Sequence, residues 1–203
     1  LIDFQTNCGL VNDGVCGPKT VRVLRSVSSQ TGDGPGIAAI RESERLRDGF
    51  DSMANCRIVV GQFGGLTALV RAVAHELRHH GALVMTLDEP DAVAQAKAAN
   101  LYGAHVYLGF ESSADDAATV TFFQVPTFES VGGRTLAEDL VRSLAPVTAV
   151  PPVVEGMRLP ILRETRMPAV LVTVGPPRVA AEPALVEAVV EALEHWTTPP
   201  TAD

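Results

Sequence analysis

The pattern of hydrophobic positions changes along the chain, and after residue 56 apolar runs of strand length alternate with longer amphipathic stretches. Short apolar runs predict strands over 57–61, 82–87, 104–110, 118–124 and 169–174. Segments with apolar residues every three or four positions predict helices over 66–80, 91–101, 132–145 and 182–196. This alternation indicates an α/β fold with a mainly parallel sheet covered by helices.

The first part of the chain predicts a small all-α piece. IDFQTNCG has the sequence of a helix end closed by Gly9, and Pro18 suits the first turn of a second helix, PKTVRVLRSV. SSQTGDGPG is typical of a linker, and the charged stretch IRESERLRDG predicts a solvated connector helix. The predicted boundaries are 1–27 for the helical piece, 28–56 for the linker and connector, 57–197 for the α/β domain and 198–203 for a tail.

Composition narrows the classes of partner. Sixteen basic against 24 acidic residues give a net charge of −8, which argues against a nucleic-acid or anionic-membrane surface. No apolar run reaches the length of a membrane span. The hydrophobic content of 46% supports a sizeable core, and because aromatic residues make up only 5%, we expect that core to consist of Val, Leu, Ala and Ile.

The three cysteines leave two interpretations open. Cys8, Cys16 and Cys56 do not have the spacing of a zinc-binding motif. Cys8 and Cys16 could form a disulfide in an exported protein, or they could be two small buried thiols. Free thiols would favour the cytoplasm.

One motif favours a metal enzyme. HELRH, from His75 to His79, matches H-E-x-x-H, in which two histidines of one helix bind zinc. The apolar stripe between 69 and 77 predicts the buried face of this helix, and both histidines lie on roughly the opposite side, toward solvent. A third histidine of the extended motif is missing, since position 85 is Met. His105 and His195 are interpreted as structural.

The N-terminal stretch DFQTNCGLVNDGVCGPKTVRVL resembles the second half of a small three-helix peptidoglycan-binding domain. The match depends on glycines, Asp and Pro at fixed turn positions and covers only residues 1–27. The residues that carry it are Phe4, Gln5, Gly9, Leu10, Asp13, Gly14, Gly17, Pro18, Thr20 and Leu24.

Residues 57–196 resemble the zinc-dependent N-acetylmuramoyl-L-alanine amidases of the amidase 3 family. The matching pieces, in order, are RIVV, LRHHGALVMTL, AAN followed by GAHVYLGFES, TLAEDLVRSL and ILRETRMPAVLVTVG. A wall-binding piece followed by a charged connector and this fold is also the arrangement of an actinobacterial regulator of that family. The resemblance implies an amidase-like α/β fold.

The resemblance also implies where a zinc site should lie. Active members hold zinc with two histidines and a glutamate, and a further glutamate is the general base. In this sequence the first histidine's loop is replaced by GQFGG, with about a dozen residues missing, and the glutamate ligand's position falls near Gln62. The second histidine's position holds Glu111, and the catalytic glutamate's position holds Thr173. We therefore predict a degenerate site without metal or cofactor.

These losses lead to three hypotheses of function. By resemblance, the chain is a catalytically inactive, cytoplasmic regulator of peptidoglycan precursor synthesis, with MurA, the UDP-N-acetylglucosamine enolpyruvyl transferase, as its type of partner. The first alternative is an exported, non-catalytic wall protein that binds peptidoglycan. The second is an active zinc amidase that uses His75 and His79 or other ligands. Regulators of this kind are phosphorylated near this end, which makes Thr197, Thr198 and Thr201 candidate phosphosites in a Pro-rich, disorder-prone segment.

Overall fold

A computed structural model describes residues 1–28, 39–42, 44, 52–114, 118–175 and 183–198 of the chain. Its strands are β1 (Arg57–Phe63), β2 (Leu83–Leu87), β3 (Val106–Ser112), β4 (Thr119–Val125), β5 (Phe128–Glu129), β6 (Val153–Met157) and β7 (Ala169–Val174). Its helices of defined extent are α1 (Ile2–Asn7), α2 (Pro18–Ser28), α3 (Thr67–His79), α4 (Ala92–Tyr102), α5 (Val131–Leu144), α6 (Pro160–Glu164) and α7 (Pro183–Thr197). None of the described helices is long and apolar enough to cross a membrane.

The strands form one mixed, mostly parallel sheet in the order β2-β1-β3-β7-β4-β5, with β6 also paired to β4. β1 is parallel to β2 and β3, β3 is parallel to β7, and β4 is parallel to β6. β4 runs antiparallel to β7 and to the short β5. The predicted α/β class with a mainly parallel sheet covered by helices is confirmed.

Three elements escape the hydrophobic pattern. β6 alternates between exposed and half-buried positions, so VVEGM lacks the continuous apolar character of the central strands. β5 has two residues and α6 has five, which is shorter than the window over which periodicity can be recognised. The predicted strands and the four long predicted helices all exist, with ends that move by one or two residues.

The core lies on both faces of the sheet because side chains of the strands alternate between them. One face packs against α3, α5 and α7, with Ile58, Val60 and Phe110 among its fully buried residues. The other face packs against α4 and α6 and is smaller, with Val59 and Tyr107 at its centre. Aliphatic residues dominate both clusters, as the composition predicted.

The expectation of a solvated connector is wrong for residues 39–42 and 44, which are named here the connector segment. Residues 39–42 and 44 are helical, and Glu42 and Glu44 are buried. Ile40 packs with Cys8 and Val23 of the N-terminal helices. A charged sequence is buried here because each carboxylate has a partner, which the charge pattern alone did not show.

The partners of the connector segment come from both sides. Glu44 accepts a hydrogen bond from the Arg22 guanidinium at 3.2 Å. Glu42 accepts one from Ser130 Oγ at 2.6 Å and one from the Gly132 backbone N–H at 2.9 Å, at the start of α5. The connector segment therefore joins the N-terminal helices to the α/β domain.

Candidate functional site

The carboxyl ends of β1, β3 and β7 meet at one edge of the sheet, and the three expected site positions lie there. Glu111 on β3 is in register with Phe63 on β1 and with Thr173 on β7. Gln62 is in register with Phe110. Because neighbouring residues of a strand point to opposite faces, Glu111 and Thr173 share one face and Gln62 lies on the other. The structure brings two of the three positions together and separates the third.

Gln62 is buried and fully used by the fold. Its Oε1 accepts hydrogen bonds from the backbone N–H groups of Gly65, at 3.0 Å, and Leu66, at 2.9 Å. Its Nε2 donates to the carboxylate of Asp88, which also accepts from the Thr67 hydroxyl at 3.1 Å. The amide therefore satisfies N–H groups at the start of α3, which lacks a side-chain cap of its own.

The connection between β1 and α3 leaves no room for a metal-binding loop. β1 ends at Phe63 and α3 begins at Thr67, so only three residues join them. Gly64 and Gly65 have φ angles of 93° and 83°, a region that favours glycine. A Cβ at Gly64 would lie 3.2 Å from the Cβ of Ser112 at the end of β3. GQFGG forms a tight strand-to-helix turn packed against the next strand.

A buried polar network, which was not predicted from the sequence, connects the interior of the domain to this edge of the sheet. The Tyr107 hydroxyl donates to Gln95 Oε1 at 2.8 Å, and Gln95 Nε2 donates to the Gln62 carbonyl at 3.0 Å. Burial raises the pKa of Tyr107 well above its ordinary value, so the hydroxyl remains protonated and can donate. The available signal was a single Gln in the alanine-rich helix AVAQAKAAN, opposite a glycine in a buried strand.

The residues at the expected site do not form a zinc-ligand set. Glu111 is exposed and Thr173 is half-buried, while the Gln62 amide is committed to the helix start. Zinc requires three protein ligands from His, Cys or carboxylate side chains. Across the described ranges, no group of three or more such side chains is arranged to hold a metal ion.

The histidines of HELRH lie on the surface, as their helical positions predicted. His75 and His79 are both exposed, with ring centroids 4.4 Å apart in an edge-to-face arrangement. His75 and Glu76 also line an open groove of about 440 Å³ between α3 and α7. His105 has a structural position, since its Nδ1 accepts from the Arg57 backbone N–H at 3.2 Å. His195 lies 3.7 Å from Asp139.

Gln5 organises the residues of the peptidoglycan-binding-like motif. Its Nε2 donates to Asp13 Oδ1 at 3.0 Å, to the Val15 carbonyl at 2.9 Å and to Thr20 Oγ1 at 3.3 Å. Its Oε1 accepts from the Gly14 backbone N–H at 2.9 Å. The hydrogen bond from the Val15 N–H, followed by the one from the Gln5 amide, lowers the pKa of Asp13.

The other motif residues shape the same unit. Pro18 is the first residue of α2, as predicted, and Gly14 has a φ of 73° in the loop that Gln5 holds. Phe4 packs on the cluster around Cys8, while a Cβ at Gly17 would have no neighbour within 4 Å. Most of the motif therefore builds the loop between α1 and α2 rather than presenting side chains to a ligand.

The cysteines and the C-terminal threonines differ in part from expectation. Cys8, Cys16 and Cys56 are all free, so Cys8 and Cys16 form no disulfide, and the alternative of two buried thiols holds for Cys8 but is wrong for the exposed Cys16. Thr197 does not lie in a disorder-prone segment, because it is the last residue of α7 and is 1% exposed. Its hydroxyl donates to the Leu193 carbonyl at 2.8 Å, so a kinase could not reach it in the folded chain. Thr198 is exposed, and Thr201 lies outside the described residues.

Solved structures with this fold are amidase catalytic domains. The N-acetylmuramoyl-L-alanine amidase of Clostridium difficile 630 superposes with a TM-score of 0.57 at 15% identity, over 70% of this chain and 97% of that one. Apo Ami1 of Mycobacterium abscessus gives 0.55 at 14% identity, over 70% and 99%. The CwlV catalytic domain of Paenibacillus polymyxa gives 0.54 at 15% identity, over 69% and 97%. The fold is that of the amidase catalytic domain.

The sequence adds a more particular relative. An alignment of 206 positions, which covers 86% of this chain, gives 29% identity to the N-acetylmuramoyl-L-alanine amidase CwlM of Mycobacterium tuberculosis H37Rv. The aligned part spans half the length of CwlM, and no family model matches the chain. The chain therefore has the fold of N-acetylmuramoyl-L-alanine amidase catalytic domains and is similar in sequence to CwlM.

Proposed function

We propose that this chain is a catalytically inactive amidase-like protein that regulates peptidoglycan precursor synthesis by binding another protein. The observation that carries the proposal is the use of Gln62. A side chain at a metal-ligand position is hydrogen-bonded through both amide atoms to the turn, to Asp88 and to the start of α3. Glu111 and Thr173 lie on the opposite face from Gln62, and the described residues bring no three ligand side chains together here, whereas hydrolysis requires several converging groups.

Zinc content separates a pseudoenzyme from a hydrolase. The purified chain is dialysed against trace zinc and its metal content is measured by elemental analysis, with hydrolysis of muropeptides assayed in parallel. We expect less than about 0.1 zinc per chain and no release of L-alanine peptides. The double variant His75→Ala, His79→Ala is the matched control for surface binding. About one zinc per chain that survives in this double variant and is lost in Glu111→Gln would sink the pseudoenzyme proposal.

The proposed partner is an enzyme, so binding of this chain can be tested through the rate of that enzyme. CwlM-like similarity and the resemblance to regulators of the first committed step make MurA-type enolpyruvyl transferase the proposed target. The enzyme's rate is measured with increasing amounts of the chain, and we expect a change in rate that saturates with concentration. A heat-unfolded sample of the chain is the control. An unchanged rate together with no co-sedimentation would remove this partner.

Thr198 is the first proposed phosphosite, and its exposure directly after α7 supports the proposal. Its hydroxyl donates to the Glu194 carbonyl at 2.8 Å in the last turn of α7. A phosphate there would lie at the negative end of the helix and beside an acidic residue, so it would unwind that turn. Thr201 remains a second candidate. Phosphorylation by a serine/threonine kinase, followed by mass spectrometry, should modify Thr198 or Thr201 and leave Thr197 unmodified.

The alternative function is non-catalytic binding of peptidoglycan, and the intact loop around Gln5 favours it. The resemblance of residues 1–27 to a wall-binding domain would have no consequence for a purely cytoplasmic regulator. Sedimentation with insoluble peptidoglycan separates the two candidates. Retention of the chain by sacculi, without any effect on the enolpyruvyl transferase, would favour the wall-binding function.

A further inference from the structure

A small cavity lies where the connector segment meets the α/β domain. It has a volume of about 80 Å³, and its polar lining consists of Arg41 and Glu42 of the connector segment, Ser130 before α5, Arg163 of α6, and Thr165 and Arg166 after α6. Arg163 is paired with Glu164. Since one water molecule needs only about 10–15 Å³ on this measure, the cavity has room for several waters or for one small polyatomic ion.

The electrostatic balance of this cavity favours an anion. Burial, and after it the positive charge of Arg166, lowers the pKa of the Arg41 guanidinium, so the two cations repel each other. Glu42 is the carboxylate among the described lining residues, but its Oε1 already accepts hydrogen bonds from Ser130 and Gly132. No ion pair within the described part of the chain neutralises Arg166.

Arg41 and Arg166 are held in place by residues outside the cavity. Arg41 Nε donates to the Asn7 carbonyl at 2.6 Å, which leaves its two terminal nitrogens available. The Arg166 backbone N–H donates to Asn100 Oδ1 at 2.9 Å, and Asn100 Nδ2 donates to the Glu164 carbonyl at 2.8 Å. One asparagine therefore fixes the loop that carries Arg166. Such anchoring reduces the entropy lost when a ligand binds.

We propose that Arg41 and Arg166 bind a small oxyanion, a phosphate or a carboxylate group, between them. The planar guanidinium group matches the geometry of both anions and binds them through paired hydrogen bonds. Since Arg41 belongs to the connector segment and Arg166 to the α/β domain, the bound oxyanion ties the N-terminal helices to that domain. This site is independent of the regulatory function proposed above.

The test measures thermal unfolding of the whole chain in sodium phosphate, sodium acetate and sodium chloride at equal ionic strength and pH. A ligand that binds only the folded state raises the unfolding temperature, by an amount that grows with the logarithm of its concentration once this exceeds the dissociation constant. We expect a higher unfolding temperature in phosphate or in acetate than in chloride, and we expect Arg166→Gln to lose this difference, because a salt that acts only by exclusion from the protein surface stabilises both chains equally. A higher unfolding temperature in phosphate than in acetate assigns a phosphoryl group to the site. An unfolding temperature in acetate equal to or above that in phosphate assigns a carboxylate.

Arg166→Gln is the decisive variant, because Arg166 is exposed. Asn100 contacts only its backbone N–H, so the substitution leaves the Asn100 contacts intact. It should lower the affinity for the preferred anion by about tenfold or more, as measured by calorimetric titration. It should also raise the unfolding temperature in chloride, because it removes the repulsion with Arg41. Arg71→Gln, an exposed arginine on α3, is the matched control and should change neither quantity. Equal unfolding temperatures in all three salts, or unchanged affinity in Arg166→Gln, would overturn the proposal.

Discussion

Two buried glutamines, one in each part of the molecule, hold a turn by the same kind of hydrogen bonds, but the sequence predicted different roles for them. Gln5 is 1% exposed and holds the loop between α1 and α2, while Gln62 is 6% exposed and holds the turn between β1 and α3. Each accepts from backbone N–H groups and donates to an aspartate, Asp13 or Asp88. Both turns contain glycines with positive φ.

The difference is in what surrounds each glutamine. Gln5 belongs to a motif that, by resemblance, was expected to form this loop, and its amide bonds to the motif residues Asp13, Gly14 and Thr20. Gln62 occupies a position where a charged ligand was expected, and the neighbouring loop is shorter. An amide is neutral and can both donate and accept, so it fills this buried position without leaving an unpaired charge. In both parts of the molecule a buried glutamine holds a turn.

The largest effect is expected at the sheet edge, from Gly61→Ala. A Cβ at Gly61 would lie 2.2 Å from Gln95 Oε1 and 2.5 Å from the Tyr107 hydroxyl, both buried. Either the network breaks or the strand moves, and we expect a loss of about 4 kcal/mol in the free energy of unfolding by urea. Gly17→Ala has open space and is the control, with a change below about 0.5 kcal/mol. Similar values for the two variants would contradict a rigid sheet edge.

Gln5→Leu should have the next largest effect, confined to the N-terminal helices. It leaves the Gly14 N–H without its acceptor and the Val15 carbonyl without its donor, which we expect to destabilise this unit by about 3 kcal/mol. The measurement is the rate at which the buried Cys8 thiol reacts with a thiol reagent. Gln124→Ala, at an exposed glutamine, is the control. A Cys8 rate that does not increase would mean that Gln5 is not what holds this loop.

Gln62→Glu asks whether the amide can be exchanged for the carboxylate of an active enzyme. The carboxylate could still accept from Gly65 and Leu66, but it would face Asp88 instead of donating to it, with an expected loss of about 2 kcal/mol at pH 7. Repulsion raises the pKa of the introduced carboxyl, so the loss should shrink as the pH falls through that value. Gln62→Ala is the comparison, and its loss should not vary with pH. A stable Gln62→Glu variant that binds zinc would contradict the structural role of Gln62.

The smallest effects concern the buried thiols, one in each part of the molecule. Burial raises the pKa of Cys8 and raises that of Cys56 to about 12, against an unfolded value of 9.0. The thiol form is therefore favoured in the folded state, and its contribution is present below pH 9 and lost as the pH rises from 9 toward 12. Urea unfolding between pH 8 and 10.5 should show a decline that is smaller in Cys56→Ala than in Cys16→Ala, whose thiol is exposed.

Much of this protein could be predicted from local sequence. Apolar runs located the five main strands, and 3.6-residue periodicity located α3, α4, α5 and α7, because burial imposes a pattern on each element separately. Gly9 and Pro18 marked helix ends through their own backbone preferences. The exposure of His75 and His79 followed from the opposite apolar stripe of a single helix.

Tertiary contacts decided what local sequence could not. The connector segment is charged, and only the arrival of Ser130, Gly132 and Arg22 from distant parts of the chain makes burial of Glu42 and Glu44 favourable. The same holds for the Gln95–Tyr107 network and for β6, whose place beside β4 depends on strand pairing. Thr197 is buried because α7 packs against the domain. Sequence by itself determined the long strands and helices, since their patterns depend on neighbours in the chain. The tertiary structure decided where the short or weakly apolar elements lie and which polar groups are buried, since that depends on partners remote in sequence.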